Sequence, residues 1–177
     1  GVVLNGVDPT GGTFEILGGT APAGTRDKVA FDEGGVNLAR VATFEYTATG
    51  ANFATGGTPV VMTEVESILY NGEGAPDNIS IAARDGNNDV LTVNPYRPDS
   101  AVVFYGGQPF NGPPEVFENR LPGVAGGAIQ PDIRLTNIET NNGLFIFGND
   151  TAPAPDNRLY VYGSSENSLV DPTAQAG

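Results

Sequence analysis

Glycine and proline interrupt this chain so often that no long helix can form. The longest stretches free of both are 36–49 and 60–71, and each is rich in Val, Thr and aromatics rather than Ala, Leu, Glu and Lys. Neither carries an amphipathic helical period, so both read as extended. The 25 Gly and 14 Pro separate dense apolar runs, and with 39% hydrophobic residues over 177 positions the punctuation marks turns rather than disorder. Eleven strand-like runs follow one another: 13–17, 28–31, 41–47, 59–62, 66–70, 78–82, 90–93, 101–105, 133–135, 144–147 and 158–162. This pattern predicts a single all-β domain over residues 1–177. The Gly/Pro-rich stretches 106–114 and 122–127 read as surface loops or as seams between repeats.

Three segments share one grammar: 13–31, 67–82 and 144–163 each run strand, Gly/Asn turn, Ala-Pro, a polar step with Asp, strand. Two are preceded by matching pentads, Thr63-Glu64-Val65-Glu66-Ser67 and Thr136-Asn137-Ile138-Glu139-Thr140. The repeats therefore occupy about 13–31, 63–93 and 136–163, with unequal spacing that argues against a simple solenoid. Repetition favours stacked parallel β-coils of β-helix or solenoid type. Unequal lengths and the proline-rich excursions favour the alternative, a β-sandwich.

The phrase from Val65-Glu66-Ser67-Ile68-Leu69-Tyr70-Asn71-Gly72 through Asp77-Asn78-Ile79-Ser80-Ile81, followed by Asn88-Asp89-Val90-Leu91-Thr92-Val93, resembles the tandem β-repeat regions of large secreted bacterial surface proteins of planctomycete and cyanobacterial type. The resemblance implies an extracellular adhesive or structural module built of stacked β-coils, near calcium-binding repeat proteins. It brings no catalytic residues with it.

Elimination points the same way. The chain has no His, Cys or Trp, which removes the Ser/His/Asp triad, the Cys nucleophile, zinc sites with N or S ligands, and disulfides. Zero cysteine fits an exported protein. With 8 Lys and Arg against 21 Asp and Glu, a net charge of -13, binding to nucleic acid or an anionic membrane is excluded. No apolar run is long enough to insert as a helix. The chain begins at Gly1 without Met and reads as a processed or excised piece of something larger. A glycosidase carboxylate pair would want sugar-stacking Trp. A polysaccharide lyase on a β-helix needs a basic groove, whereas the arginines (Arg26, Arg40, Arg84, Arg97, Arg120, Arg134 and Arg158) are scattered singly.

Two groups of residues remain as candidates. Asp85-Gly86-Asn87-Asn88-Asp89 spaces oxygen ligands as a calcium loop would, with Asp85, Asn87 and Asp89 as first ligands. Asp77, which follows Gly72 in a partial match to the calcium-binding β-roll nonapeptide, is a fourth. An EF-hand is excluded, since Val90 and Tyr96 stand where that loop needs Gly and Glu. The alternative for all four is Asx-turn chemistry. Asp77-Asn78 and Asp156-Asn157 precede strands at equivalent repeat positions, which in stacked coils could lie one above the other; Glu66 and Glu139 would cap neighbouring turns. Phe145, Phe147, Tyr160 and Tyr162 lie in runs that are apolar on both alternating faces. Such runs are buried on both sides or face a partner. The functional expectation is a non-catalytic, secreted or cell-surface module that associates with copies of itself or with a cell-surface polysaccharide.

Overall fold

The structure, a computed structural model, describes residues 2–5, 14–19, 26–32, 41–55, 59–72, 77–84, 88–106, 123–125, 128–138, 143–148 and 157–161. Among these residues the regular structure is all β, with no helix. The strands are β1 (Val2–Asn5), β2 (Phe14–Leu17), β3 (Lys28–Asp32), β4 (Val41–Thr47), β5 (Gly50–Ala54), β6 (Val60–Thr63), β7 (Ser67–Asn71), β8 (Asn78–Ala82), β9 (Val90–Arg97), β10 (Ser100–Tyr105), β11 (Gly123–Ala125), β12 (Ala128–Gln130), β13 (Asp132–Thr136), β14 (Leu144–Phe147) and β15 (Arg158–Val161). Each of the eleven runs expected from sequence coincides with a strand. Four strands carried no sequence signal strong enough to be expected. β5 opens on a glycine, Gly50, and takes its extended form from pairing with β4; β11 and β12 are three residues each; β1 is a lone apolar run at the start of the chain.

Two mixed sheets result, and neither closes into a barrel. Sheet A has the order β1-β3-β7-β13-β10-β9-β15, and sheet B the order β14-β8-β4-β5-β6-β2; β11 and β12 form a separate hairpin. Within sheet A only β10 runs against its neighbours, and within sheet B only β5 does. Each reversed strand belongs to a tight hairpin, since a short turn can only return the chain antiparallel. Most of the other connections cross between sheets: β1 to β2, β2 to β3, β3 to β4, β6 to β7, β7 to β8, β8 to β9, β13 to β14 and β14 to β15 all change layer.

Crossing sets up three rungs in parallel register. Val29, Ile68 and Ile133 align across β3, β7 and β13, as do Phe31, Tyr70 and Leu135. On sheet B, Ala42, Ile79 and Leu144 align across β4, β8 and β14, and so do Phe44, Ile81 and Ile146. The period of two explains the burial: in β3 and β8 alternate residues are buried, so these rows point between the sheets and form one core. Phe31 and Tyr70 of sheet A meet Phe44 and Phe53 of sheet B there, with ring centroids 4.0 Å apart for Phe31 and Phe53 and 6.0 Å for Phe44 and Tyr70. β10 is buried on both faces, its outer Val102 and Phe104 joining Tyr96 in a second small cluster.

The repeats do not stack on their own counterparts. The second strand of the first repeat, β3, pairs with the first strand of the next, β7, and β8 pairs likewise with β14. Asn78 therefore begins a strand of sheet B while Asn157 precedes a strand of sheet A, so no ladder joins them. The offset follows from each repeat being an arch that spans both layers.

The pentads mark a recurring joint. Glu64 and Asn137, the second residue of each, have φ of 57° and 55°, a left-handed conformation that is uncommon for a side-chain-bearing residue. The turn buries the next residue, Val65 or Ile138, against the core. The carbonyls of Thr63 and Thr136 accept hydrogen bonds from the Gly18 and Gly72 N–H groups, at 2.8 and 3.0 Å.

Candidate functional site

Asp89, expected as a calcium ligand, lies buried at the start of β9. Its Oδ2 accepts the Arg84 backbone N–H at 2.6 Å, and its Oδ1 accepts Arg84 Nη2 at 2.8 Å and the Tyr105 hydroxyl. Burial, and then the hydrogen bond to Asp89, push the Tyr105 phenol well above its ordinary value. The Asp89 N–H donates to Asn157 Oδ1 at 2.8 Å, and Asn157 Nδ2 donates to the Gly148 carbonyl at 2.7 Å. One asparagine thus ties the start of β9 to both ends of the β14–β15 connection. A cation could use Asp89 only by displacing Arg84. Asp85 and Asn87 lie outside the described residues.

Asp77 is also fully buried, and accepts the Tyr70 hydroxyl at 2.9 Å. It occupies the same place relative to its strand as Asp89 does, with a tyrosine in the same role. Asp27 repeats the position before β3: its Oδ2 accepts the Gly19 N–H at 2.8 Å, while its own N–H donates to Glu66 Oε2 at 2.7 Å. Glu66 thus accepts a hydrogen bond from the residue that leads into β3; Glu139 lies outside the described residues. Arg26 pairs with Asp132 at 3.0 Å, both side chains nearly inaccessible. No local sequence signal reveals the Arg26–Asp132 pair, whose members are 106 positions apart. Among the described residues, no group of three or more His, Cys, Asp or Glu is placed to hold a metal ion.

The aromatic candidates are found elsewhere. β14 is an edge of sheet B and β15 an edge of sheet A. Phe145 and Phe147 point outward and are 43% and 51% exposed, beside Ser80 and Ala82 of β8, while Leu144 and Ile146 turn toward the core. All four described residues of β15 are exposed, Tyr160 among them. Leu159 and Val161 stand in register with the core residues Leu91 and Val93 yet remain 49% and 42% exposed. The inner face of sheet A is therefore only about half covered at this edge. Tyr162 lies outside the described residues.

Six of the seven large hydrophobic side chains exposed among the described residues lie on edge strands: Leu17 on β2, Phe145 and Phe147 on β14, and Leu159, Tyr160 and Val161 on β15. Sheet edges are ordinarily blunted with charge or proline, because their unpaired N–H and C=O groups invite another strand. These edges display aromatic and branched residues instead.

The outer face of sheet A carries one further feature, a depression of about 240 Å³. Ala30 and Leu69 contribute to its apolar lining, while Asp32, Asn71, Arg134 and Thr136 provide its polar groups. Arg134 lies over the Tyr96 ring, 5.9 Å from its centroid. No local sequence signal could reveal this depression, since its residues come from β3, β7 and β13. Comparison with protein-family models, curated proteins and solved structures returns no match.

Proposed function

We propose that this chain is a non-catalytic structural or adhesive module of a secreted or cell-surface protein, and that it works by associating with further copies of itself. The concentration of exposed apolar side chains on the edge strands carries this reading. A strand edge bearing Phe, Leu, Val and Tyr is costly to leave in water and has both backbone bonds and apolar surface to offer another β edge. The three parallel rungs support a short stack of β-coils as the architecture, with β5–β6 and β9–β10 as antiparallel insertions. Sedimentation velocity over a wide concentration range tests the reading. The mass is expected to rise with concentration; a strictly monomeric species at the highest concentration removes it.

The depression on sheet A favours a second reading, attachment to a neutral cell-surface saccharide. An apolar floor suits a sugar's CH face, and a carboxylate, an amide and a guanidinium on the rim suit its hydroxyls. A glycan array with wild type and Arg134→Ala tests it, and equal binding by the two proteins discards the site.

A further inference from the structure

We infer that copies of this chain join head to tail, the β14/β15 edge of one copy receiving the β1/β2 edge of the next in parallel register. The inference rests on the self-association reading and names its interface.

Ordering both sheets along the three rungs places β1 and β2 at one end of the molecule and β15 and β14 at the other. Among the described residues, each end therefore presents one unpaired edge from each sheet. β1 and β15 run in the same direction within sheet A, and β2 and β14 do so within sheet B. A copy translated along the stacking direction keeps its strand directions. It brings β1 beside β15 and β2 beside β14, both parallel, as β3, β7 and β13 already pair within the molecule.

Little charge opposes a joint between these ends. In a chain of net charge -13, β14 and β1 carry no charged residue, β15 carries only Arg158 and β2 only Glu15. Both residues are exposed, and in this joint they fall on different sheets, Arg158 beside uncharged β1 and Glu15 beside uncharged β14, so no like charges meet. A two-fold contact between identical β15 edges would instead pair them antiparallel, unlike the parallel joints of β3, β7 and β13, and leave β1 and β2 bare. A heterologous contact closes both edges and leaves a fresh pair for the next copy, so it propagates. Each end offers two four-residue strands, fewer residues than the roughly 20–30 a side of a standard interface. A single joint is accordingly weak, and assembly is concentration-dependent.

End-blocked variants decide the matter. One carries Phe147→Lys and Val161→Lys, the other Val3→Lys and Leu17→Lys, with circular dichroism confirming that both keep the β fold. Each variant alone is expected to sediment as a monomer, and their equimolar mixture as a species of twice the monomer mass that grows no further. If the variant blocked at β1 and β2 forms dimers alone, the contact is two-fold, and the head-to-tail inference fails while self-association stands. If wild type is monomeric throughout, the self-association reading falls and takes this inference with it.

Discussion

Gly72 presses on the backbone of Asn137: a Cβ at position 72 would stand 2.8 Å from the Asn137 carbonyl oxygen and overlap the Asp77 carboxylate. Gly18 stands in the same relation to Glu64, where a Cβ would overlap the carbonyl oxygen. Both glycines end a strand whose neighbour then turns through a left-handed residue, so the contact is part of the joint.

Gly18→Ala and Gly72→Ala should each lower stability by about 1–3 kcal/mol, because backbone on the facing strand has to move. Gly19→Ala is the control, since a Cβ there would meet nothing within 4 Å. Urea melts should separate the three, and a Gly18→Ala midpoint equal to wild type would deny the close approach.

Glu64 holds φ at 57° without being glycine. Relieving that conformation with Glu64→Gly should raise stability by about 1 kcal/mol. In a chain of this length that moves the melting temperature up by roughly 2–4 °C. Asn137→Gly should gain less, because asparagine tolerates the left-handed region and Asn137 Nδ2 also donates to Asn71 Oδ1 at 2.6 Å. A lower melting temperature for Glu64→Gly would contradict the strain.

Asp89→Asn leaves the Arg84 guanidinium without its anionic partner and should cost about 3 kcal/mol. The pH dependence tests the same cluster from its tyrosine. Because the folded phenol of Tyr105 is pushed above its unfolded value, the fold holds that proton more tightly than the unfolded chain does. Its contribution is fully present below the unfolded value near 10 and is lost as pH rises beyond it. Tyr105→Phe should flatten the stability profile above that pH, and an unchanged profile would place the buried proton elsewhere.

If calcium binds the 85–89 loop, the thermal midpoint rises in calcium relative to chelator, and Asp85→Ala abolishes the difference. Identical midpoints in the two conditions would take calcium out of the account. With Asp89 held by Arg84, most of the loss from Asp89→Asn should persist in chelator.

The all-β class was legible because Gly and Pro leave only short runs; that Val29, Phe31, Ile79 and Ile81 form the core appears only in the structure. The pentads were legible as repetition but not as left-handed turns, since Glu at position 64 gives no sign of a positive φ. Leu144 to Phe147 read as apolar on both faces, which fits a central strand and an exposed edge equally well. β10 took the central position, and the choice rested on pairings with strands far away in sequence. The ion pairs of Arg26 and Arg84 were hidden for related reasons: one spans most of the chain, and the other needed the loop geometry that places Asp89 under its own neighbour.

The layer-to-layer crossings also set the order in which this fold can form. β7 obtains a partner on one side from β3 and on the other only from β13, with Thr136 and Asn71 65 positions apart along the chain. β9 likewise waits for β15, since Asp89 and Asn157 are 68 positions apart. Loop closure over such separations comes before any reward from pairing, so folding should be slow for a domain of this size. A nascent chain that has emerged only as far as β10 has two half-built sheets with unpaired strands on their growing sides, and the last strands to appear give those strands partners while becoming the new edges themselves.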